Sequence, residues 1–97
     1  MTLPSYTGGT ADWSLIPEHM VGAVRRYIEH GIEPGNFLAS LLCNDLQGTF
    51  GAADSINGTR VRDYMVFLYN FAPTGCWGGP EKYLAWVERG GLGWEKE

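Results

Sequence analysis

Residues 59–73, TRVRDYMVFLYNFAP, form the most hydrophobic run in this chain of 97 residues. On a helix, six positions of the run fall on one stripe: Val61, Tyr64, Met65, Leu68, Phe71 and Ala72. Tyr69 and Phe67 widen the stripe on either side, so that little polar surface is left opposite it. A helix that is apolar around most of its circumference is typical of the middle of a domain, where neighbouring elements cover it.

A β-strand is the alternative structure for this run, because MVFLYNF is rich in aromatic and branched side chains. The length of the pattern favours a helix, since strands are usually shorter than about a dozen residues. Ser55, Asn57 or Thr59 can cap the start of a helix. Pro73 supplies the end, because it disfavours helical geometry in the residue before it. We therefore predict a central helix here.

The composition is that of one globular domain. Hydrophobic residues make up 44% of the chain and charged residues 19%, which does not suit a disordered protein. The net charge of −4 disfavours nucleic acid as a partner, since that binding depends on clustered Lys and Arg. No apolar run reaches the roughly 20 residues that a membrane span needs, and no secretory signal precedes the cysteines. We expect a reduced, cytoplasmic protein without membrane contact.

Three further helices are predicted around the central one. The first lies in IPEHMVGAVRRYIEHG, with Pro17 in its first turn and Gly31 at its end. Its core-facing residues recur at helical spacing: Met20, Val21, Val24, Tyr27 and Ile28. The second helix spans about 36–47 and ends at Gly48. The last begins at Pro80 and ends at Gly90, with four residues on its buried side: Tyr83, Leu84, Trp86 and Val87.

These elements predict an all-α fold, a single compact bundle of about four helices with a central hydrophobic helix. The helical domain is expected to span residues 14–91. An N-terminal arm, residues 1–13, lacks any period and can be anchored on the domain by Tyr6 or Trp13. Residues 92–97 are expected to form a polar tail.

Asp45 is the most unusual residue of the predicted second helix. It falls in the apolar arc, at the angle between Leu38 and Leu41. A buried carboxylate must be paired or hydrogen-bonded, since an isolated buried charge is too costly. We predict that Asp45 is a structural buried polar residue that binds an arginine, a tyrosine hydroxyl or a backbone N–H. The alternative is an acid or base with a raised pKa in an apolar pocket.

No catalytic, metal-binding or cofactor-binding constellation is predicted. Cys43 and Cys76 could pair with His19 or His30, but no local signature supports a nucleophile and its base. The two histidines are too far apart on their helix to share a metal, and neither CxxC nor HxxxH occurs. We therefore expect a protein that is not an enzyme and needs no cofactor.

The glycine loop TGCWGG, residues 74–79, is the predicted partner-binding site. Pro73 ends one helix and Pro80 begins the next, so both flanks of the loop should be well defined. A large aromatic on a rigid loop loses little entropy when it fills a partner's pocket. We predict that Trp77 is partly exposed and binds a partner together with Glu81 and Lys82. The alternative is that Trp77 folds back and closes the core.

Two stretches, RYIEHGIEPGNFLASLLCNDL and FLYNFAPTGCWGGPEKYLAWVERGG, resemble a group of small bacteriophage and prophage proteins that have no assigned activity. The resemblance covers about two thirds of the chain, residues 26–91 with a gap in the middle. It carries over no functional residue. It implies a small phage accessory protein, and such proteins, CRISPR inhibitors among them, often act by binding a host protein.

We therefore expect a phage-encoded binding protein that inhibits a host protein in the host cytoplasm, such as a bacterial defence complex of the CRISPR kind. One alternative is a nucleic-acid-binding regulator that uses four arginines: Arg25, Arg26, Arg60 and Arg62. Others are a structural or assembly accessory protein of the phage, and a small enzyme built around Asp45 or Cys43.

Overall fold

The computed structural model of the chain describes Gly9 and residues 11–93. Within these residues the chain is helical and contains no strand, which confirms the all-α prediction. Its six α-helices are α1 (Val21–His30), α2 (Asn36–Leu42), α3 (Leu46–Ala52), α4 (Ser55–Thr59), α5 (Val61–Asn70) and α6 (Pro80–Arg89). Three 3₁₀-helical turns accompany them: Trp13–Leu15, Glu18–Met20 and Thr74–Cys76. No described helix has both the length and the hydropathy to cross a bilayer.

The predicted number of about four helices is not matched, because the predicted second helix is divided and a short extra helix precedes the central one. The second helix ends at Leu42, since Asn44 adopts the left-handed conformation with φ of 63°. Asparagine is one of the few residues that tolerates this geometry. The chain then starts again as α3 with a new direction. The central helix is likewise preceded by the short α4, which ends just before Arg60.

The predicted burial of Asp45 is wrong for the same reason. Asp45 is exposed and forms the N-cap of α3, where its side chain accepts a hydrogen bond from the N–H of Gly48 at 3.0 Å. Aspartate is among the preferred N-cap residues, because its carboxylate satisfies an amide that the helix leaves free. Asp45 would lie between Leu38 and Leu41 only if α2 continued past residue 43, but α2 ends at Leu42.

The C-terminal end of α1 is as predicted, and so is most of its buried stripe. The α-helix starts at Val21 and not in the turn of Pro17, because a 3₁₀ turn precedes it. Gly31 closes the helix in the left-handed conformation, and three residues of the stripe are buried: Val24, Tyr27 and Ile28. Gly90 closes α6 in the same way, and Tyr83 and Trp86 are buried there. Leu84 was predicted to be buried but is 58% exposed, because the packed side of α6 is narrow.

Helix α5 supplies the middle of the core, but it is not covered all round. Phe67 has 0% exposure, and the ring of Trp13 lies 4.7 Å from its own. Tyr64 and Leu68 are buried beside it. Tyr69, which the prediction placed at the flank of the buried stripe, is 80% exposed. Residues two positions apart on a helix point about 200° away from each other, so a fully buried Phe67 directs Tyr69 to solvent.

Both ends of the described chain contact the domain. Trp13 packs on α5 and carries the guanidinium of Arg25 over its ring at 5.7 Å, whereas Tyr6 lies outside the described residues. The N–H of Leu92 donates to the carbonyl of Ile28 at 3.0 Å, so the chain remains attached to α1 at residue 92. The rest of the predicted polar tail, residues 94–97, is also outside the described part.

Two buried glycines form the junction between the ends of α1 and α6. Gly31 and Gly91 both have positive φ values, 68° and 66°. A Cβ atom on Gly31 would lie 2.5 Å from the backbone nitrogen of Gly91. Backbone atoms cannot move aside as a flexible side chain can, so only glycine fits at this contact.

We expect Gly31→Ala to lower the free energy of unfolding by about 2–4 kcal/mol, from left-handed strain and overpacking together. The matched control is Gly51→Ala on α3, where an added Cβ meets nothing within 4 Å. That change should raise the free energy of unfolding by about 0.5–1 kcal/mol, as alanine is the better helix former. Urea denaturation followed by circular dichroism measures both; equal effects would contradict the junction.

Candidate functional site

The loop of residues 74–79 is fixed to two helices. The carbonyl of Cys76 accepts a hydrogen bond from the hydroxyl of Tyr27 on α1 at 2.6 Å. The N–H of Gly78 donates to the carbonyl of Leu42 at the end of α2 at 2.9 Å. The Cys76 side chain is fully buried between these attachments. The loop therefore presents a defined surface.

Trp77 is half-buried and packs against the core while keeping part of its ring at the surface. Its indole Nε1 is buried and has no hydrogen-bond partner among the described residues. Glu81 and Lys82 are exposed in the first turn of α6. The structure brings Lys82 to the loop, since its Nζ would lie 3.8 Å from a Cβ on Gly78. The binding role of these three residues stays a prediction.

The two thiols are not poised for nucleophilic chemistry. Both cysteines are free, and burial raises the pKa of Cys76 to about 12. Burial, followed by the charge of Asp45, raises the pKa of Cys43 as well. A protonated thiol is a weak nucleophile, so these shifts oppose catalysis at neutral pH. Of the two candidate bases, His19 lies 3.2 Å from the carboxylate of Asp54.

Asp54 belongs to a polar network that fixes α4 against α5. It caps α4 by accepting from the N–H of Asn57 at 2.7 Å, and that hydrogen bond is the main reason why the pKa of Asp54 lies below its usual range. The buried Asn57 accepts in turn from the hydroxyl of Tyr64 at 2.7 Å. Each of these polar groups forms a hydrogen bond with another of them, as expected of a network with a structural role.

Two of the four arginines proposed for nucleic acid are held in internal contacts. The Nε of Arg25 lies 3.0 Å from the carboxylate of Glu29. Arg60 binds Asp63 at 2.6 Å and the carbonyl of Ser14 at 2.8 Å. These contacts reduce the positive surface that a phosphate backbone would need.

The described residues hold no group of three or more His, Cys, Asp or Glu side chains that could bind a metal ion. The core contains a cavity of about 10 Å³ with an apolar lining that includes Val24, Leu38 and Phe67. A site for a small molecule usually has a volume of hundreds of Å³. This cavity is thus a packing defect of the core.

Helix α3 has an exposed apolar surface that the sequence pattern did not indicate. We define the α3 face as four exposed residues on one side of this helix: Leu46, Gln47, Phe50 and Gly51. Leu46 is 70% exposed and Phe50 is 52% exposed. The two lie four positions apart, so they are neighbours on the helix surface. The predicted helix over residues 36–47 concealed the surface, because it left no separate helix after residue 45 with an exposed side of its own.

The opposite side of α3 explains why its large side chains point outward. Thr49 is buried there, and its hydroxyl donates to the carbonyl of Asp45 at 2.5 Å. A Cβ on Gly48 would meet the hydroxyl of Ser40 on α2 at 2.7 Å. Small residues thus allow α3 to lie close to α2, and this side of the helix has no room for Leu46 or Phe50.

The chain has no detected match among known proteins: no family model, no curated protein and no solved structure is significantly similar to it. The resemblance to phage proteins therefore stays a prediction. The geometry leaves two candidate surfaces for a partner, the loop around Trp77 and the α3 face.

Two substitutions of the half-buried Trp77 should differ in their effect on stability. We expect Trp77→Ala to lower the free energy of unfolding by about 1–3 kcal/mol, since it removes packing against the core. Trp77→Phe keeps an aromatic ring and removes a buried N–H donor that has no partner, so it should cost about 1 kcal/mol or less. Urea denaturation of the two variants measures the difference. Equal losses would show that the indole N–H is satisfied in solution.

Proposed function

We propose that this chain is a small non-enzymatic binding protein that acts by covering a surface of another protein. The exposed apolar pair Leu46 and Phe50 on α3 carries the proposal. Singly exposed apolar side chains are ordinary on protein surfaces. Here the two are neighbours on a helix whose solvent-facing residues carry no charge, and charge depletion with aromatic enrichment is the signature of an interface core.

The burial energy of this pair is sufficient to matter in a complex. Complete burial of a Leu or Phe side chain contributes about 1.5–3 kcal/mol. Two such side chains in one contact can therefore change an affinity by a factor of hundreds or more, at about 1.4 kcal/mol for each factor of ten. The same pair contributes little to the stability of the free chain, because both side chains lie mostly in water.

The partner in this proposal is a host protein, and the setting is the cytoplasm of a bacterium that carries the phage. Both follow from the resemblance to phage accessory proteins, and a defence complex such as a CRISPR effector is one such target. An inhibitor that covers a surface needs no catalytic group, which suits a chain whose Cys76 is buried and whose Asp45 and Asp54 cap helices. The internal contacts of Arg25 and Arg60 favour a protein partner over nucleic acid.

Capture from a bacterial lysate tests this function. The tagged wild-type chain should retain a specific protein, and Leu46→Ser/Phe50→Ser should lose it by at least tenfold while its circular dichroism spectrum and melting temperature stay the same. The control is Tyr69→Ser on α5, which removes an apolar side chain that is 80% exposed outside the α3 face. Mass spectrometry of the retained proteins identifies the partner.

The outcomes separate the two candidate surfaces. The binding site would move to the loop if Trp77→Ala, shown by circular dichroism to remain folded, loses the retained protein while the α3 variant keeps it. Retention of no specific protein by the wild-type chain, across lysates of several bacterial hosts, would contradict the binding function itself.

A further inference from the structure

The α3 face lies between two exposed carboxylates. Asp45 caps the start of α3, and Asp54 follows its end by two residues. The residues between them, LQGTFGAA, carry no charge. A helix of seven residues is about 10 Å long, which is also the diameter of a helix with its side chains. The surface is therefore an uncharged strip about one helix wide, with an aspartate at each end of the segment. Among the described residues no ion pair involves Asp45, whereas the exposed Asp54 also lies 3.2 Å from His19.

Neither the backbone conformation nor the packing of the free chain requires glycine at Gly51, which lies within this strip. It lies within α3, its φ is not among the positive values, and an added Cβ would meet nothing within 4 Å. Glycine inside a helix is less favourable than alanine by about 0.5–1 kcal/mol. A residue that the fold does not need, and that makes the helix less stable, suits the close approach of a partner backbone beside Phe50.

We infer that the α3 face binds a basic amphipathic segment of a partner protein, with apolar side chains against Leu46 and Phe50 and Lys or Arg side chains beside Asp45 and Asp54. The inference rests on the proposed binding function and names the chemistry of the partner. The charges supply orientation and selectivity, while the apolar pair supplies most of the affinity.

The same charges disfavour a second copy of this chain as the occupant. A two-fold axis through an antiparallel pair of α3 helices would bring Asp45 of one copy next to Asp54 of the other. Like charges placed together at an interface oppose association. The net charge of −4 adds a general repulsion between copies.

A defined peptide tests this chemistry without knowledge of the natural partner. The probe is a labelled peptide of Leu and Lys, about 14 residues long, with Leu at helical spacing. Its counterpart carries Glu in place of every Lys. Fluorescence anisotropy at low salt measures both affinities, and NMR chemical shifts of the chain locate the contact. The Lys peptide should bind, shift the amides of residues 46–52, and lose affinity by at least tenfold with Leu46→Ser/Phe50→Ser.

The variant Asp45→Asn/Asp54→Asn removes the two charges and keeps both helix caps, because asparagine is an equally good N-cap. It also changes the contact between His19 and Asp54, so its melting temperature is measured beside the affinity. It should weaken the Lys peptide about fivefold to tenfold and flatten its salt dependence, as expected for two surface charge pairs. The control Asp12→Asn/Glu88→Gln makes the same change in net charge at exposed positions on other elements. It should change the affinity less than twofold. Gly51→Ala should stabilise the chain and weaken the peptide severalfold.

Any of four results would overturn the inference. These are equal binding of the Glu peptide, equal effects of the two charge variants, a dimer that Leu46→Ser/Phe50→Ser dissociates, or binding to neutral phosphatidylcholine vesicles that the same variant abolishes. If lysate capture depends on Leu46 and Phe50 while the peptide fails, the partner chemistry is wrong and the binding function stands. If capture fails and the peptide binds, the proposed function is wrong.

Discussion

One buried residue of α1, Tyr27, connects this helix to two distant parts of the chain, the loop of residues 74–79 and α6. Its hydroxyl donates to the carbonyl of Cys76 in the loop, and its own carbonyl accepts from the indole N–H of Trp86 on α6 at 3.0 Å. Its ring stacks on Tyr83 with centroids 5.6 Å apart. Burial raises the pKa of Tyr27 far above its usual range, so the hydroxyl stays a donor. The Gly31–Gly91 junction lies one turn further along α1, and the loop around Trp77 is attached directly to Tyr27.

The sequence predicted a helix correctly where its apolar residues recur at helical spacing without interruption. The stripe and the glycine cap of α1 were visible in the sequence, because Val24, Tyr27 and Ile28 recur at helical spacing before Gly31. The break at Asn44 was not visible, since LLCNDLQ keeps an acceptable helical period through a residue that turns left-handed. The Asn44-Asp45 pair before an uncharged segment was the available signal, as the first residue tolerates positive φ and the second is a good N-cap.

The same missed break determined how much of the candidate site could be predicted. The loop between Pro73 and Pro80 was identified from its two prolines, and Trp77 was placed there correctly. The α3 face depends on tertiary packing, because only the close approach of α3 to α2 through Gly48 and Thr49 decides that Leu46 and Phe50 point to solvent. No periodicity within the segment 46–52 contains that information.

The most direct test of the Tyr27 frame is Tyr27→Phe, studied by urea denaturation together with alkylation of Cys76 in a Cys43→Ser background. Loss of the hydroxyl leaves the buried carbonyl of Cys76 without this donor, so the free energy of unfolding should fall by about 1–3 kcal/mol. The Cys76 thiol, fully buried and with a pKa raised to about 12, should then react faster than in the parent, because the loop opens before the domain unfolds. Unchanged stability and unchanged protection of Cys76 would contradict the central position of Tyr27 in this fold.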